Sequence, residues 1–568
     1  MSHFLSLNLN TNQLNSLLFE KQAGLYSLCS AASQDFDLRD PDSLMPAFRE
    51  MLQTLETESG TTFLDKDHRV IHTGFDGTDG LNAIGFSFSA VRPIRMALIG
   101  ISEAYSLSSL RRLVSLFDAE VVLEMRLQDP LSQSQQLQAL SNADIEMLVI
   151  AGGSEEGASR ALRNAIENTR LFYHIMPKSI QPQIVYAGNQ ILADYARIEI
   201  EAGDDFHLAP NLRNAEGQED LSVAWKAMLN AYERVRLQQY PQLRELRAQL
   251  RTPLMPASFA LGRMARFIAK LGKAGKSVLL ADLSEEKTTL LLANEDGLMA
   301  TSHPNAIDDD TLLKTQFYCS QNLSSLEVAE YLHNKKLFPQ QLAVTISDFA
   351  VEQAWSRANL WRGLCAMKAV FPRFKFDDTA GLKEACDPII LSGSRLSQDL
   401  EPHQILAIAL DGFLPHSIST FALDEKQILV ALGALAEKEP LLVVQMLELE
   451  SFRNLASVVS LSSQDYEESS LLDLEMVLGE EDTRAYHQVS RGQLLKIETA
   501  GKEDLRVYLA PSARTDLGMG MPGLGGWITV PNAELGLVID ARERPISISD
   551  NPETRAKKWR DWLWELGG

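Results

Sequence analysis

The chain has 568 residues, of which 45% are hydrophobic and 23% are charged, and this composition excludes disorder over most of its length. Asp and Glu outnumber Lys and Arg by 76 to 53, so the formal net charge is −23, which argues against a nucleic-acid partner. The longest apolar runs are far shorter than the roughly 18 residues that a membrane helix requires, so no membrane span is expected.

The N-terminal thirty residues alternate polar with apolar side chains and do not read as a secretory signal. We therefore expect a cytoplasmic protein. The four cysteines are scattered without C-x-x-C spacing and are interpreted as buried free thiols. His68 and His72 lie in a strand-like segment, where they would not share a helix face as a zinc pair does, and no metal site is predicted.

The first half of the chain predicts an antiparallel meander followed by strand-helix repeats. The meander comprises residues 4–9, 14–19 and 25–31, and a helix is predicted over 41–58. From residue 94, apolar strands alternate with helices through short glycine turns, which is typical of a parallel sheet covered on both faces. Residues 220–250 are predicted to be helical up to a break at Pro253 and Pro256.

The second half predicts another α/β segment over about 255–460. It contains a helical stretch over 323–358 interrupted at Pro339, and a strand at 388–391 that leads into Ser392 and Gly393. Residues 462–470 form a polar, acidic junction, and short strands are predicted up to about 548. Asn551 and Pro552 then predict the start of a terminal helix, whose apolar stripe should dock on the body of the protein.

These patterns predict three domains. The first covers 1–255, with an α/β insertion at about 94–210 and the helical segment 220–250. The second covers 256–461. The third, over 462–568, is a small β-rich domain that ends in the terminal helix.

Two strand-turn-strand segments, residues 4–18 and 277–292, are laid out like the phosphate hairpins of an actin-like ATPase. In that fold each turn uses a carboxylate to hold hydrated Mg²⁺, and glycines that let backbone N–H groups approach phosphate. Here the first turn reads NLNTN from Asn8, and the second reads DLSEEKT from Asp282. The layout of the hairpins is kept, whereas the chemistry of the turns is changed.

Several segments in order along the chain resemble the glutamate mutase accessory family. These are the L-type proteins encoded beside adenosylcobalamin-dependent mutases, which are distinct from the mismatch-repair protein of similar name. The segments that carry the resemblance are LVIAGGSEEG (148–157), IVYAGN (184–189), EYLHNKKLFP (330–339) and ILSGSRL (390–396), and AIALDGFLP (407–415), RTDLGMGMPGLGG (514–526) and LGLVIDARERP (535–545) look like a subgroup with a C-terminal β domain. The resemblance implies an actin-like, sugar-kinase-like α/β fold with two lobes around a nucleotide cleft, and a chaperone or reactivating role toward a cobalamin mutase.

The resemblance also assigns nucleotide-binding positions, most of which depart from the family pattern. The first turn, Asp-x-Gly-Ser/Thr in the family, is matched by Asn8, Asn10 and Thr11. The second is matched by positions that include Asp282, Ser284, Lys287 and Thr288, and the adenosine motif by Ser392 and Gly393. Of the phosphate-turn residues, only Thr11, Asp282 and Thr288 survive in kind.

The departures weaken the case for ATP binding. Asn8 lacks the negative charge that holds hydrated Mg²⁺, and the side chain of Asn10 takes space that a phosphate needs. Glu285 and Glu286 would repel an anion, at a cost on the order of 4 kcal/mol for a pair about 4 Å apart. Lys287 could compensate, but beside Glu286 on a strand we expect it to be exposed.

The glycine-rich segment 518–526 precedes a predicted strand at 527–530 rather than a helix, so it is interpreted as a structural turn and not as a phosphate loop. The turn at Gly152, Gly153 and Ser154 is compatible with an anion at a helix N-terminus, and equally with close packing of strand and helix.

The sequence therefore favours a pseudo-ATPase without catalytic residues that acts as a protein-interaction or assembly module. One alternative is a working ATP-dependent chaperone that reactivates an adenosylcobalamin-dependent mutase, with ATP and Mg²⁺ as cofactors. A further alternative is a filament-forming actin-like protein. The expected partner is a protein, such as a cobalamin-dependent mutase or a paralogue, and oligomerisation stays open.

Overall fold

The computed structural model describes residues 2–73, 79–89, 92–128, 132–153, 155, 160–272, 275–339, 341–397, 400–448, 452–463, 470–478, 483–498, 505–542 and 544–567. Ser154, which belongs to the turn at Gly152 and Gly153, and residues 464–469 of the acidic junction lie outside this described part. Within it, no helix is both long enough and apolar enough to cross a bilayer.

The strands of the first half of the chain are β1 Ser2–Leu9, β2 Gln13–Gln22, β3 Leu25–Asp35, β4 Ala83–Phe88, β5 Ile94–Gly100, β6 Ala119–Arg126, β7 Met147–Gly152, β8 Gln183–Gly188, β9 Phe206–Leu208 and β10 Met255–Pro256. Those of the second half are β11 Ser277–Leu283, β12 Lys287–Asn294, β13 Gly297–Pro304, β14 Phe376–Asp377, β15 Gly381–Leu382, β16 Cys386–Ser392, β17 Ile418–Asp424, β18 Arg453–Ser460, β19 Ser462–Ser463, β20 Ser470–Leu478, β21 Thr483–Ser490, β22 Leu494–Ile497, β23 Leu505–Pro511, β24 Thr515–Asp516, β25 Gly526–Val530 and β26 Leu537–Asp540.

The α-helices are α1 Leu44–Ser59, α2 Ser108–Val114, α3 Gln133–Asn142, α4 Arg160–Ile175, α5 Ala193–Ile200, α6 Trp225–Gln239, α7 Leu243–Leu250, α8 Ala257–Leu271, α9 Asp309–Tyr318, α10 Ser325–Leu337, α11 Ile346–Val370, α12 Ser394–Ser397, α13 Pro402–Phe413, α14 Ile428–Leu435, α15 Pro440–Glu448 and α16 Pro552–Glu565.

The chain forms two compact units. The first consists of Met1–Arg263 and Leu429–Leu449, and the second of Met264–Ile428 and Glu450–Gly568. The first unit contains a five-stranded sheet of order β3-β2-β1-β4-β10, in which β3, β2 and β1 are antiparallel neighbours and β4 and β10 continue it in parallel. The predicted opening meander is therefore confirmed, and it forms one half of a mixed sheet.

A second sheet of the first unit contains the strands that lie between β4 and β10 in the chain. Its order is β6-β5-β7-β8-β9, and every neighbouring pair is parallel. Strands β7 and β8 are buried along almost their whole length, which is expected of a parallel sheet with both faces covered. The predicted strand-helix repeats from residue 94 are confirmed.

The second unit repeats the mixed sheet of the first. Its eight-stranded sheet begins β13-β12-β11-β16-β17, with two antiparallel pairs followed by two parallel pairs, as in β3-β2-β1-β4-β10. Helices α11 and α13 contribute to the apolar core on one face of this sheet. The same mixed order in both units confirms the actin-like α/β fold class predicted from the two hairpins.

The strands from β18 onward divide among three sheets, the smallest of which is the antiparallel pair of β19 and β24. β18, β26 and β22 extend the eight-stranded sheet beyond β17, whereas β20, β21, β23 and β25 form a separate four-stranded antiparallel sheet. The inner face of the small sheet shares one apolar core with residues of β18 and β26. The predicted short strands are confirmed, and the three domain boundaries drawn from the sequence stay predictions.

The terminal helix α16 begins where the sequence predicts. The side chain of Asn551 accepts a hydrogen bond from the N–H of Thr554, and Pro552 occupies the first turn. Trp559 is buried and donates its indole N–H to the carbonyl of Phe317, 2.8 Å away. Trp562 donates its indole N–H to the carbonyl of Gly492 over 3.2 Å. Two indole hydrogen bonds therefore hold α16 against the rest of the second unit.

Candidate functional site

The candidate site in the second unit lies where three parallel strands end. Asp282 of β11 pairs in register with Ser392 of β16, and Ser392 pairs with Asp424 of β17. Since residues in register on neighbouring strands point to the same face of a sheet, these three side chains form a row. The carboxyl ends of parallel strands are the usual position of ligand sites in α/β sheets.

A buried hydrogen bond connects two members of this row. The Oγ of Ser392 donates to Oδ2 of Asp424 over 3.2 Å, and both side chains are fully buried. Oδ1 of Asp424 accepts the backbone N–H of Ile428 over 2.7 Å. Asp424 thus links the end of β17 to the first residue of α14.

Gly393 follows the row and brings two strand ends together. Its φ is +104°, a left-handed conformation that favours glycine. A Cβ on this residue would lie 2.2 Å from the carbonyl oxygen of Leu283 at the end of β11. The position therefore requires glycine, both for its backbone conformation and for the close approach.

The electrostatics of the row centre on Asp282 and Lys287. Burial raises the pKa of Asp282 to about 6, and the positive charge of Lys287 opposes this rise. Lys287 is itself only 6% exposed. The expectation that Lys287 is exposed was wrong, because the first residue of β12 lies within the sheet, between β11 and β13.

The turn between β11 and β12 uses its own side chain as a hydrogen-bond acceptor. The Oγ of Ser284 accepts the backbone N–H of Lys287 over 3.2 Å and donates to the carbonyl of Lys287 over 3.0 Å. The N–H of Ser284 also donates to that carbonyl over 3.0 Å. A short polar side chain at this position therefore satisfies a backbone donor that a glycine would leave available.

Asn305 fixes the outside of the same turn. Its amide nitrogen donates to the carbonyls of Ser284 and Glu285, over 2.9 and 3.2 Å. Its amide oxygen accepts the hydroxyl of Thr288 over 2.8 Å, and its backbone N–H donates to the carbonyl of Glu286 over 2.8 Å. Thr288 is therefore engaged in a structural contact.

Glu285 is partly neutralised by a neighbouring cation. Its carboxylate lies 3.5 Å from Nζ of Lys335, which is 3.0 Å from Glu352 and donates to the carbonyl of Gln341 over 2.6 Å. The charge repulsion expected from Glu285 toward an anion is reduced by this ion pair.

The first unit has an equivalent row without carboxylates. Asn8 of β1 pairs in register with Ser87 of β4, and Ser87 pairs with Met255 of β10. The Oγ of Ser87, which is fully buried, donates to Oδ1 of Asn8 over 3.0 Å. The amide of Asn8 thus takes part in the same kind of serine contact as Asp424 in the second unit.

The turn that follows Asn8 is also closed by its own side chain. Oδ1 of Asn10 accepts the backbone N–H of Gln13 over 2.7 Å and that of Asn12 over 3.1 Å. The N–H of Asn10 donates to the carbonyl of Gln13 over 3.0 Å, and the carbonyl of Thr11 accepts the N–H of Leu38 over 3.3 Å. Asn10 and Ser284 occupy the same position, two residues after Asn8 and Asp282.

The structure therefore gathers the predicted residues into two groups. Asn8, Asn10 and Thr11 lie at one turn of the first unit, and Asp282, Ser284, Lys287, Thr288, Ser392 and Gly393 lie at neighbouring strand ends of the second. Sequence reasoning missed Ser87, Asp424 and Asn305. Asp424 could have been found from the sequence, because it is a carboxylate at the end of an apolar strand and a helix begins shortly after it.

ATP with Mg²⁺ does not fit these residues as they are arranged. Asn8 carries no charge for hydrated Mg²⁺. The N–H groups of Asn12, Gln13 and Lys287, which a phosphate would need, already donate to the side chains of their own turns.

Comparisons with known proteins give a family and a set of distant structures. A search of curated proteins finds no match. The structure is similar to the diol dehydratase-reactivating factor in nucleotide-free form, with 10% identity, a TM-score of 0.31, and coverage of 78% of this chain and 100% of that chain. It is similar to nucleotide-free acetone carboxylase with 9% identity, a TM-score of 0.30, and coverage of 85% and 80%.

A third similar structure is the ethanolamine utilization protein EutJ from Carboxydothermus hydrogenoformans, with 9% identity, a TM-score of 0.25, and coverage of 77% of this chain and 89% of that chain. Since these identities and TM-scores are low, no function is transferred from the three structures. The family comparison is different, because residues 42–450, well over half of the chain, match the family described as MutL protein. This chain belongs to the MutL protein family.

Proposed function

We propose that this member of the MutL protein family is a non-catalytic pseudo-ATPase that acts as a protein-interaction module. The observation that carries the proposal is the closure of both hairpin turns by their own side chains, Asn10 in the first unit and Ser284 in the second. A phosphate that bound here would have to replace these hydrogen bonds. It would gain little free energy from each backbone N–H group, because that group already donates to a side chain of its own turn.

The charge pattern supports the same proposal. The row of the first unit, Asn8 and Ser87 followed by Met255, offers no carboxylate to a hydrated cation. The first turn therefore has no carboxylate through which a hydrated magnesium ion could hold ATP.

The test is calorimetric titration of the full chain with ATP, in the presence and absence of Mg²⁺, together with a turnover assay. We expect no binding heat at high micromolar protein and no phosphate release. Micromolar, Mg²⁺-dependent binding with turnover that disappears in Asp282→Ala would overturn the proposal. The matched control is Asp296→Ala, an exposed carboxylate in the turn that follows β12.

The alternative is an ATP-dependent chaperone that reactivates an adenosylcobalamin-dependent mutase. It is favoured by one observation: Asp282 keeps a carboxylate at the strand end, where burial raises its pKa and the nearby positive charge of Lys287 opposes that rise. The resemblance to glutamate mutase accessory proteins points to the same partner. Under this alternative, ATP turnover would rise in the presence of the mutase, and inactivated mutase would regain activity only with ATP.

The partner under the leading proposal is also a protein, either a cobalamin-dependent mutase or a paralogue of this chain. In that case, association with the partner would be independent of ATP. Filament formation is a separate prediction from the fold class. Concentration-dependent light scattering of the full chain would detect it.

A further inference from the structure

The outer face of the small C-terminal sheet carries an ordered set of exposed aromatic side chains. This sheet has the order β21-β20-β23-β25. Along β23, buried Leu505, Val507 and Leu509 alternate with exposed Arg506 and Tyr508. The buried set belongs to the apolar core of this region, so the other set faces solvent.

Three aromatic residues of this outer face lie in one line across the strands. Tyr486 is in register with Glu475, Glu475 with Tyr508, and Tyr508 with Trp527. The exposed fractions are 67% for Tyr486, 36% for Tyr508 and 47% for Trp527. The rings of Tyr508 and Trp527 have centroids 5.4 Å apart. We call these three residues the aromatic row.

A second line next to the aromatic row contains two arginines. Arg484 and Arg506 both pair in register with Val477, from opposite sides of β20. Arg484 forms an ion pair with Glu475. The guanidinium of Arg506 lies 5.3 Å from the ring centroid of Trp527, and it has no carboxylate partner among the residues that the structure describes. This face thus presents an arginine that lies over an aromatic ring.

The chemistry of the face indicates the class of its occupant. Trp, Tyr and Arg are the residues that most often dominate the binding energy of protein interfaces. Aromatic rings on an antiparallel sheet also stack the bases of single-stranded nucleic acids. The net charge of −23 disfavours binding of a polyanion such as a nucleic acid. A single carboxylate of a protein partner needs only the one positive charge of Arg506.

We propose that this face docks an extended segment of a partner protein, with a carboxylate that pairs with Arg506 and apolar or aromatic side chains that cover the aromatic row. The row spans three intervals between strands, or about 14 Å. An extended segment of about five residues covers this distance at roughly 3.3 Å per residue. This inference rests on the proposed function as an interaction module, and it names the surface and the partner's chemistry.

The test is selection of a displayed library of random twelve-residue peptides on the full chain. Enriched peptides should carry Asp or Glu flanked by aromatic, proline or other apolar residues. In fluorescence anisotropy, Trp527→Ala and Arg506→Glu should each weaken an enriched peptide at least tenfold. Arg506→Glu should bind better to the same peptide with its carboxylate replaced by Lys.

Arg514→Ala is the matched control, because Arg514 is an exposed arginine outside the four strands and should leave the affinity unchanged. If Trp527→Ala unfolds the sheet, the anisotropy measurement is repeated with Arg506→Gln, which is a smaller change. No enrichment, or enrichment that is insensitive to Trp527 and Arg506, overturns the proposal. Binding of dT12 or rU12 that is lost in these variants also overturns it, in favour of nucleic acid.

The nucleotide titrations described above decide the proposed function independently. ATP turnover would overturn the pseudo-ATPase and leave peptide binding at the aromatic row intact. Failure of peptide binding without ATP turnover would overturn only the docking face.

Discussion

Gly393 and Leu283 approach so closely that a Cβ on Gly393 would lie 2.2 Å from the Leu283 carbonyl oxygen. This contact joins the ends of β16 and β11. Ser392 and Asp282, which pair in register there, are two members of the row of side chains at the candidate site. Two physical demands, a positive φ and missing space, act at one residue.

Gly393→Ala is therefore expected to destabilise the protein by about 2 kcal/mol or more, because strain in φ and displacement of backbone add together. Denaturant unfolding measures the change. Gly492→Ala is the matched control, since Gly492 also has a positive φ but open space around it. Equal losses in the two variants would show that the close approach to Leu283 contributes nothing.

Asn305→Ala removes the side-chain clamp on the turn between β11 and β12. The carbonyls of Ser284 and Glu285 and the hydroxyl of Thr288 lose a partner, so we expect a loss of about 1 to 3 kcal/mol in the free energy of unfolding. Urea titration measures it. Asn214→Ala, in an exposed turn, is the control and should cost less. A loss no larger than the control's would contradict the clamp.

Asp282 predicts a pH dependence with a definite sign. Its carboxyl has an ordinary pKa of 3.8, and burial raises this to about 6 in the folded protein. Below pH 3.8 it is protonated in both states. Between pH 3.8 and about pH 6, this carboxyl is ionised in the unfolded chain but still protonated in the folded protein. The free energy of unfolding therefore falls as pH rises through this range, by on the order of 3 kcal/mol in total.

Asp282→Asn should accordingly be more stable than the parent above pH 6, and the difference should vanish toward pH 4. Unfolding curves at a series of pH values give this difference directly, with Asp296→Asn as a control for an exposed carboxylate. A difference that is constant across this range would contradict the raised pKa of Asp282.

Arg542 is the centre of a buried ion network in the second unit. Its guanidinium forms two 2.9 Å hydrogen bonds to Asp540 and one of 2.7 Å to Asp411, and all three residues are buried. Arg542→Ala removes one partner from each carboxylate, while Asp540 keeps Arg544 and Asp411 keeps Arg357, so it should cost about 3 kcal/mol, at the low end for breaking a buried ion pair.

The control for Arg542 is Arg453→Ala. Arg453 also makes two hydrogen bonds to one carboxylate, that of Glu534, but with about a third of its side chain exposed. It should cost no more than about 1 kcal/mol. Thermal unfolding compares the two, and similar losses would argue against burial as the cause.

Local patterns were sufficient to predict most elements. Apolar alternation located the two hairpins, and the glycine turns after residue 94 located the parallel sheet. Asn551 and Pro552 placed the start of the last helix to the residue. Each of these signals depends on neighbours within a few positions, which is the range over which a sequence pattern is informative.

The missed features depend on contacts that are distant in sequence. β10 has two residues, one of them proline, and is a strand only because it adds to the edge of the sheet beside β4. Asn305 lies 17 residues from its partner Thr288, and Lys335 is 50 positions from Glu285. No local pattern specifies such partners.

Part of the candidate site could therefore be placed from the sequence and part could not. Asn8 and Asp282 were placed correctly at the ends of their strands, because the hairpin pattern fixes where each strand stops. The direction of the side chains at the turns was not predictable. It depends on whether Asn10 and Ser284 bond to their own backbone, and the structure shows that they do.

The order of strands in the second unit has a consequence for how this chain can be divided. The match to the family ends at residue 450, yet β18, β26 and β22 come later and complete the eight-stranded sheet beyond β17. A chain cut at that residue would leave β17 as a bare edge, with unpaired backbone groups open to pairing with other chains. The strands that follow residue 450 thus cover the edge of the sheet that β17 would otherwise expose.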